Sequence, residues 1–172
     1  MVEVTICLLV KGHPATQLVL GWKKTGLGQG KYAGLGGKVE AGETREVAAI
    51  RELHEEAGVI ISPDDLEYLG HLTFLFPAKP EWDERAHVFL VRKWDGEPVE
   101  TREMRPTWIA LDQIPYDKMW DDYRYWLPRA LQGRSVTAKF VYAQDNETVH
   151  TAEGDLAQFP SRTYAERAIK TG

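Results

Sequence analysis

Between Gly36 and Val59 the chain reads GGKVEAGETREVAAIRELHEEAGV. Glu43, Arg51, Glu52, Glu55 and Glu56 bring four carboxylates and one guanidinium into this short stretch. Clustered carboxylate oxygens suit a hard divalent cation that also holds substrate phosphates, with Mg2+ first and Mn2+ as a substitute. Such a cation neutralises phosphoryl oxygens and generates a hydroxide from bound water. Gly34, Gly36 and Gly37 permit the close approach of backbone to a ligand. The plain alternative is a solvated acidic face beside a core stripe. The glycine loop, the arginine inside the acids and the complete spacing weigh against it.

These side chains need a helix. Thr44 is an N-cap type, Glu46 suits a first turn and Gly58 is a natural stop, which predicts a helix from Thr44 to Ala57. At about 100° per residue from Val47, Ile50, Leu53 and Ala57 fall at about 300°, 240° and 280°. They form an apolar stripe with Val47. Glu52, Glu55 and Glu56 fall at about 140°, 80° and 180°, on the other side. Glu52 and Glu56 stand i, i+4 and repel without a counter-ion.

Around this helix the chain reads as strands. Val2–Val10 and Gln17–Lys24 predict a hairpin across a loop containing Lys11-Gly12-His13-Pro14, with His13 exposed. Thr25–Gly34 is glycine-rich but lacks the P-loop ending. It is either a connector or the wall of a substrate pocket. Leu66–Phe76 and His87–Trp94 are strand-like, with a loop from Pro77 to Glu84. Glu97–Arg105 reads as irregular and charged, and Trp108-Ile109 begins a short apolar piece. Met119–Pro128 (MWDDYRYWLP) is aromatic-rich, and Pro128 need not end a helix there but would disturb one. Trp126 reads as core. Trp120 can stack on a base, and Asp121 and Asp122 can bond its polar edge. Ser135–Tyr142 and Thr148–Thr151 predict a late hairpin.

At 172 residues with 43% hydrophobic side chains the chain fits one domain with a proper core. A net charge of −5 argues against a general nucleic-acid binder or a membrane-surface protein. The lone Cys7, inside an apolar run, reads as a small buried hydrophobe. The apolar start carries Glu3 and no basic flank, so no secretory leader is expected. A cytoplasmic enzyme or binding module for a small molecule remains.

The stretch fits G-x5-E-x7-R-E-U-x-E-E-x-G-U without a gap, where U is aliphatic, a match with a chance probability on the order of 10⁻⁹ per position. It resembles the signature of the Nudix hydrolases. Gly21–Val39 and Glu103–Asp122 are similar to segments of the mammalian MutT-type branch, which destroys oxidised purine nucleoside triphosphates such as 8-oxo-dGTP. The resemblance implies an α/β (α+β) fold, a mixed β-sheet between helices with the signature as loop–helix–loop. It implies a catalytic domain over residues 1–153 and a polar tail over 154–172. It implies cleavage of a nucleoside triphosphate to monophosphate and pyrophosphate. By the same resemblance Glu52, Glu55, Glu56, Glu100 and the Gly36 carbonyl bind metal, while Arg51 and Glu43 orient the cluster. Thr5, Lys23, Leu35, Gly36, Gly37, Lys38, Trp120, Asp121 and Asp122 bind substrate. Ala33 stands where the branch has a base-bonding asparagine, Leu27 replaces a phenylalanine wall, and Tyr123 replaces the second of two aspartates. The base therefore stays open. Two other functions remain: hydrolysis of a different nucleoside diphosphate derivative, and a catalytically silent nucleotide-binding module.

Overall fold

The computed structural model describes residues 1–156. In chain order the elements are β1 (Val2–Lys11), β2 (Gln17–Lys23), β3 (Tyr32–Ala33), α1 (Arg45–Ala57), β4 (Leu66–Leu75), β5 (Glu84–Val91), β6 (Met104–Ala110), α2 (Tyr123–Leu131), β7 (Ala138–Tyr142) and β8 (Val149–Gly154). The sheet runs β3-β2-β1-β5-β4-β7-β8, with β6 on β2. The predicted β1–β2 hairpin forms, but only Val10↔Leu18 and Lys11↔Gln17 pair within it. β1 then departs to pair in parallel with β5 from Val2↔Glu84 to Leu9↔Val91. The divergence opens a cleft into which the Gly34–Gly37 segment inserts, through the bridges Cys7↔Leu35 and Val4↔Lys38.

Strand alternation splits the core between the two faces of the sheet. Leu8, Val10, Ala86, Val88 and Leu90 face α2, which contributes Tyr123, Trp126, Leu127 and Ala130. Cys7, Leu9, Phe89 and Val91 face α1, which contributes Ala49, Leu53 and Ala57. This is the expected sheet between helices, and Cys7 and Trp126 are the buried core residues expected.

Three sequence expectations are corrected. Val47 is 51% exposed, and Ala48 and Ala49 are buried instead. The small alanines let α1 lie close to the sheet, which rotates its buried face toward Glu56. Glu97–Arg105 is not wholly irregular, because Met104 and Arg105 begin β6, which pairs with all of β2 from Lys23↔Met104 to Gln17↔Ala110. Glu84 is not loop but the first residue of β5, paired with Val2 and Phe74. Pro128 lies within α2, which, as the sequence allows, it does not end. At the other end, Gly154 closes β8, and the expected tail lies outside the described residues from 157 onward.

Candidate active site

The cap chemistry of α1 is as the sequence predicts. Thr44 accepts from the Val47 N–H at 3.1 Å, and Gly58 at φ 70° donates its N–H to His54 at 2.9 Å. A cap of this kind contributes about 1 kcal/mol. The helix thereby starts and stops so that Glu52 and Glu56 meet the loop before it. Gly36 adopts φ 145°, and a Cβ there would strike the Thr5 carbonyl. A Cβ on Gly37 would strike the Glu52 carboxylate. Glycine is required at both positions so that backbone can pass between β1 and the acidic side of α1. Thr5, only 3% exposed, supports this passage through a hydroxyl 3.3 Å from the Gly37 N–H.

Arg51 organises the acids. Its Nε and one Nη donate to the two oxygens of Glu43 at 2.8 and 2.9 Å. The other Nη donates to Glu52 at 3.0 Å and Glu55 at 3.2 Å. A further bond to the Lys38 carbonyl at 2.9 Å ties the cluster to the glycine loop. The Arg51 bond holds the Glu43 carboxyl down at about 2. Burial pushes Glu52 up, against the pull of Arg51.

Glu56 is not on an open acidic face. It is 5% exposed and accepts from the Gly36 N–H at 2.9 Å. Burial pushes its carboxyl up to about 8, and the Glu52 charge adds to the shift. Among the described residues no three acidic, histidine or cysteine side chains are gathered at ligand distances. The donor set nonetheless fits a divalent cation: hard oxygens, like charges near one another and a buried acid, Glu56, whose charged form meets only the Gly36 N–H and the field of Lys23, with no ion pair. Glu52, Glu55 and Glu56 would hold it.

Glu100 does not join them. It is 53% exposed and pairs with the Lys24 ammonium at 3.2 Å. Glu103 is the neighbour whose charge reaches both Glu52 and Glu56. Glu103, three residues along the chain from Glu100, is thus the carboxylate within electrostatic reach of the cluster. The signal for it was the register of β6 on β2, which a charged stretch read as irregular does not reveal.

The opposite side of the glycine loop is aromatic. Trp120 meets Phe76, Trp82 and Tyr142 edge to face at 5.8, 6.3 and 5.8 Å. The Lys31 ammonium stands 5.2 Å from the Trp120 ring. Gly28 backs onto the same indole, where a Cβ would come within 3.0 Å of Nε1. The Thr25–Gly34 segment thus wraps Trp120, which favours pocket wall over connector. Lys23 lies within electrostatic reach of Glu56 and also of Glu84, on the aromatic side. The Leu35 side chain is fully buried in the α1 core, and its backbone bridges Cys7, which anchors the loop.

Both aspartates are already engaged. Asp121 accepts from the Val149 N–H at 2.8 Å and pairs with Arg124 at 2.9 Å. Asp122 accepts from Tyr142 Oη at 2.5 Å and Trp126 Nε1 at 2.7 Å. Burial pushes its carboxyl up to about 6 against those two donors. Tyr123 Oη, at the position of the missing second aspartate, accepts from the Gly34 N–H at 3.0 Å. Ala33 is beside it, and Leu27 is 38% exposed.

Comparison with known proteins bears on the family and the fold. The NUDIX domain model matches residues 2–130. The chain is 44% identical over 133 residues to the mouse oxidized purine nucleoside triphosphate hydrolase, covering 77% of this chain and 83% of that protein. Against the zebrafish (Danio rerio) protein of the same name it is 42% identical, covering 73% and 79%. The fold is also that of a MutT protein crystal structure from Bacillus halodurans, with a TM-score of 0.74 at 23% identity over 90% of this chain and 98% of that one. Hydrolases of this family generally use divalent metal ions. With the signature assembled around Arg51 and the domain model spanning three quarters of its length, the chain belongs to the Nudix hydrolase family.

Proposed function

We propose that this enzyme is a Mg2+-dependent pyrophosphohydrolase of purine nucleoside triphosphates, oxidised purines among them, that releases the nucleoside monophosphate and pyrophosphate. The observation that carries the proposal is one of placement. The Arg51 carboxylate cluster and the Trp120 wall are joined by one short stretch of chain: Gly36 and Gly37 lie against Glu56 and Glu52, while Gly34 bonds Tyr123 and Tyr32 bridges Met119 beside Trp120, with Lys23 in electrostatic reach of Glu56 and Glu84. A triphosphate belongs on the acidic side only with a cation to offset the repulsion, and a base belongs against the indole. The bound cation supplies charge neutralisation and an activated water. The chain's own groups do the rest. Glu52, Glu55 and Glu56 present the oxygens, and Arg51 with Glu43 fixes their direction. Gly36 and Gly37 let the phosphates approach. Trp120 stacks the base, which contributes about 1–3 kcal/mol.

Glu103, rather than Glu100, approaches the cluster as the further carboxylate. The similarity to the mouse and zebrafish hydrolases supports the oxidised-purine substrate class. The enzyme acts on free nucleotides in the cytoplasm and needs no nucleic-acid partner. Pyrophosphate release from 8-oxo-dGTP, dGTP, dATP and ADP-ribose, with and without Mg2+, tests the proposal. Metal-dependent release from the purine triphosphates is expected. Release from ADP-ribose alone would give the site to another nucleoside diphosphate derivative, and binding without release would make it a silent module.

A further inference from the structure

Glu84 opens β5 between Val2 of β1 and Phe74 of β4. Alternation puts its side chain on the same face as Ala86, Val88 and Leu90, the face packed by α2. It is the acidic end of an otherwise apolar row. No described residue gives its carboxyl a hydrogen bond or an ion pair, although it is only partly exposed. A carboxyl withdrawn from water without a partner is costly, and such groups persist where something else meets them.

The charged groups within electrostatic reach of Glu84 are Asp122 from the start of α2, Lys23 from the end of β2 and Lys38 after the glycine loop. The Tyr123 phenol also lies within reach of its charge. Asp122, Tyr123 and Lys23 border the aromatic side of the site. Two groups that would read a base edge are absent there. Ala33 has no amide, and Tyr123 has a buried phenol, which accepts from the Gly34 N–H, in place of a carboxyl. Among the described residues Glu84 is a carboxyl without a hydrogen bond or ion pair on that side, whereas Asp121 and Asp122 are both engaged. Burial lifts its carboxyl to about 7, so at neutral pH it can both donate and accept.

We propose that Glu84 is a specificity-determining residue of the nucleotide site, its carboxyl hydrogen-bonding, beside Asp122, the edge of a purine seated against Trp120. A carboxyl of this kind suits an edge that carries an N–H next to an acceptor, as the imidazole side of an 8-oxopurine does. The ordinary guanine edge offers two acceptors there. Glu84's role rests on the purine triphosphate reading above.

The test uses the full chain with Glu84→Leu and Glu84→Gln. kcat and KM for Mg2+-dependent pyrophosphate release are measured on 8-oxo-dGTP, dGTP, dATP and dCTP, alongside nucleotide-free melting temperatures. For Glu84→Leu the expected result is a KM for the best purine substrate raised about tenfold or more. The loss exceeds that for dCTP by at least about fivefold, and the order of preference among the purines changes. Glu84→Gln, which keeps a donor and an acceptor, recovers part of the loss. The melting temperature does not fall. Equal losses on all four nucleotides, an unchanged purine order or a destabilised fold each overturn Glu84 as a base reader. A wild-type enzyme that releases pyrophosphate from none of the four overturns the substrate reading, and Glu84's role with it.

Discussion

Replacing Glu56 with Gln separates what the buried face of α1 needs for folding from what it needs for chemistry. Glu56 is 5% exposed, and burial lifts its carboxyl from an ordinary 4.5 to about 8. Between those values the folded protein keeps a proton that the unfolded chain releases. The sign follows: stability from this site is full below pH 4.5 and is lost as pH rises toward 8. Near pH 7 the loss amounts to about 3 kcal/mol, at about 1.4 kcal/mol per pH unit. Gln keeps the shape and the acceptor for the Gly36 N–H but does not titrate. In chelator at about pH 7, Glu56→Gln should therefore melt higher than wild type by about 6–12 °C, at about 2–4 °C per kcal/mol for a chain of this size. Near pH 4.5 the two should coincide. A residual slope belongs to Asp122 and Glu84, whose carboxyls burial also lifts. Excess Mg2+ should raise the wild-type melting temperature at pH 7 and leave the variant nearly unmoved, because the cation binds the folded state only. Pyrophosphate release should vanish in the variant. Thermal melts across pH, with chelator and with Mg2+, decide the matter. A variant that melts below wild type in chelator at pH 7, or that turns over normally, would refute the placement of Glu56.

Three further perturbations address the rest of the site. Trp120→Ala should raise KM by the about 1–3 kcal/mol of a stacked base, whereas Trp126→Ala should cost about 3–5 kcal/mol of stability; nucleotide titration and urea melts on both variants would show the roles exchanged if they are. Leu35→Ala should cost about 2–5 kcal/mol in a urea melt while leaving the relative kcat/KM of different bases in place, and a changed base preference would return Leu35 to the pocket wall. Ala33→Asn should increase the preference for 8-oxo-dGTP over dGTP, measured as a ratio of kcat/KM, because it restores a paired donor and acceptor worth about 1–3 kcal/mol; a wild-type preference already above roughly a thousandfold, about 4 kcal/mol, would show that other residues read the oxidised base.

The acidic half of the site was legible because its determinants are local. The Thr44 cap, the Gly58 stop and the i, i+4 spacing of Glu52 and Glu56 act within one helix and its flanks. Even there, hydropathy misplaced the buried face. It favoured the large Val47, whereas close packing on the sheet selected Ala48 and Ala49 and drew Glu56 inward. That rotation matters to the chemistry, because the same exposed glutamate would titrate normally and would not need a cation.

The base side was legible only in its aromatic residues, because its polar groups are brought in by pairing between strands distant in sequence. Glu103 approaches Glu52 and Glu56 through the register of β6 on β2, and a charged stretch without alternation carries no trace of that register. Glu84 enters through the pairing of β5 with β1 and β4, at a position the sequence assigns to a loop after Pro77. In the loop it would be an ordinary solvated acid. As the first residue of a central strand it shares a face with Val88 and Leu90 and loses part of its water. Asp122 shows the converse. Its sequence neighbourhood suggests a free base-bonding carboxylate, yet Tyr142 and Trp126 each take one of its oxygens. Substrate choice in this enzyme therefore depends on which carboxyls the sheet leaves unpartnered, and that is set by long-range register rather than by the motif that marks the chemistry.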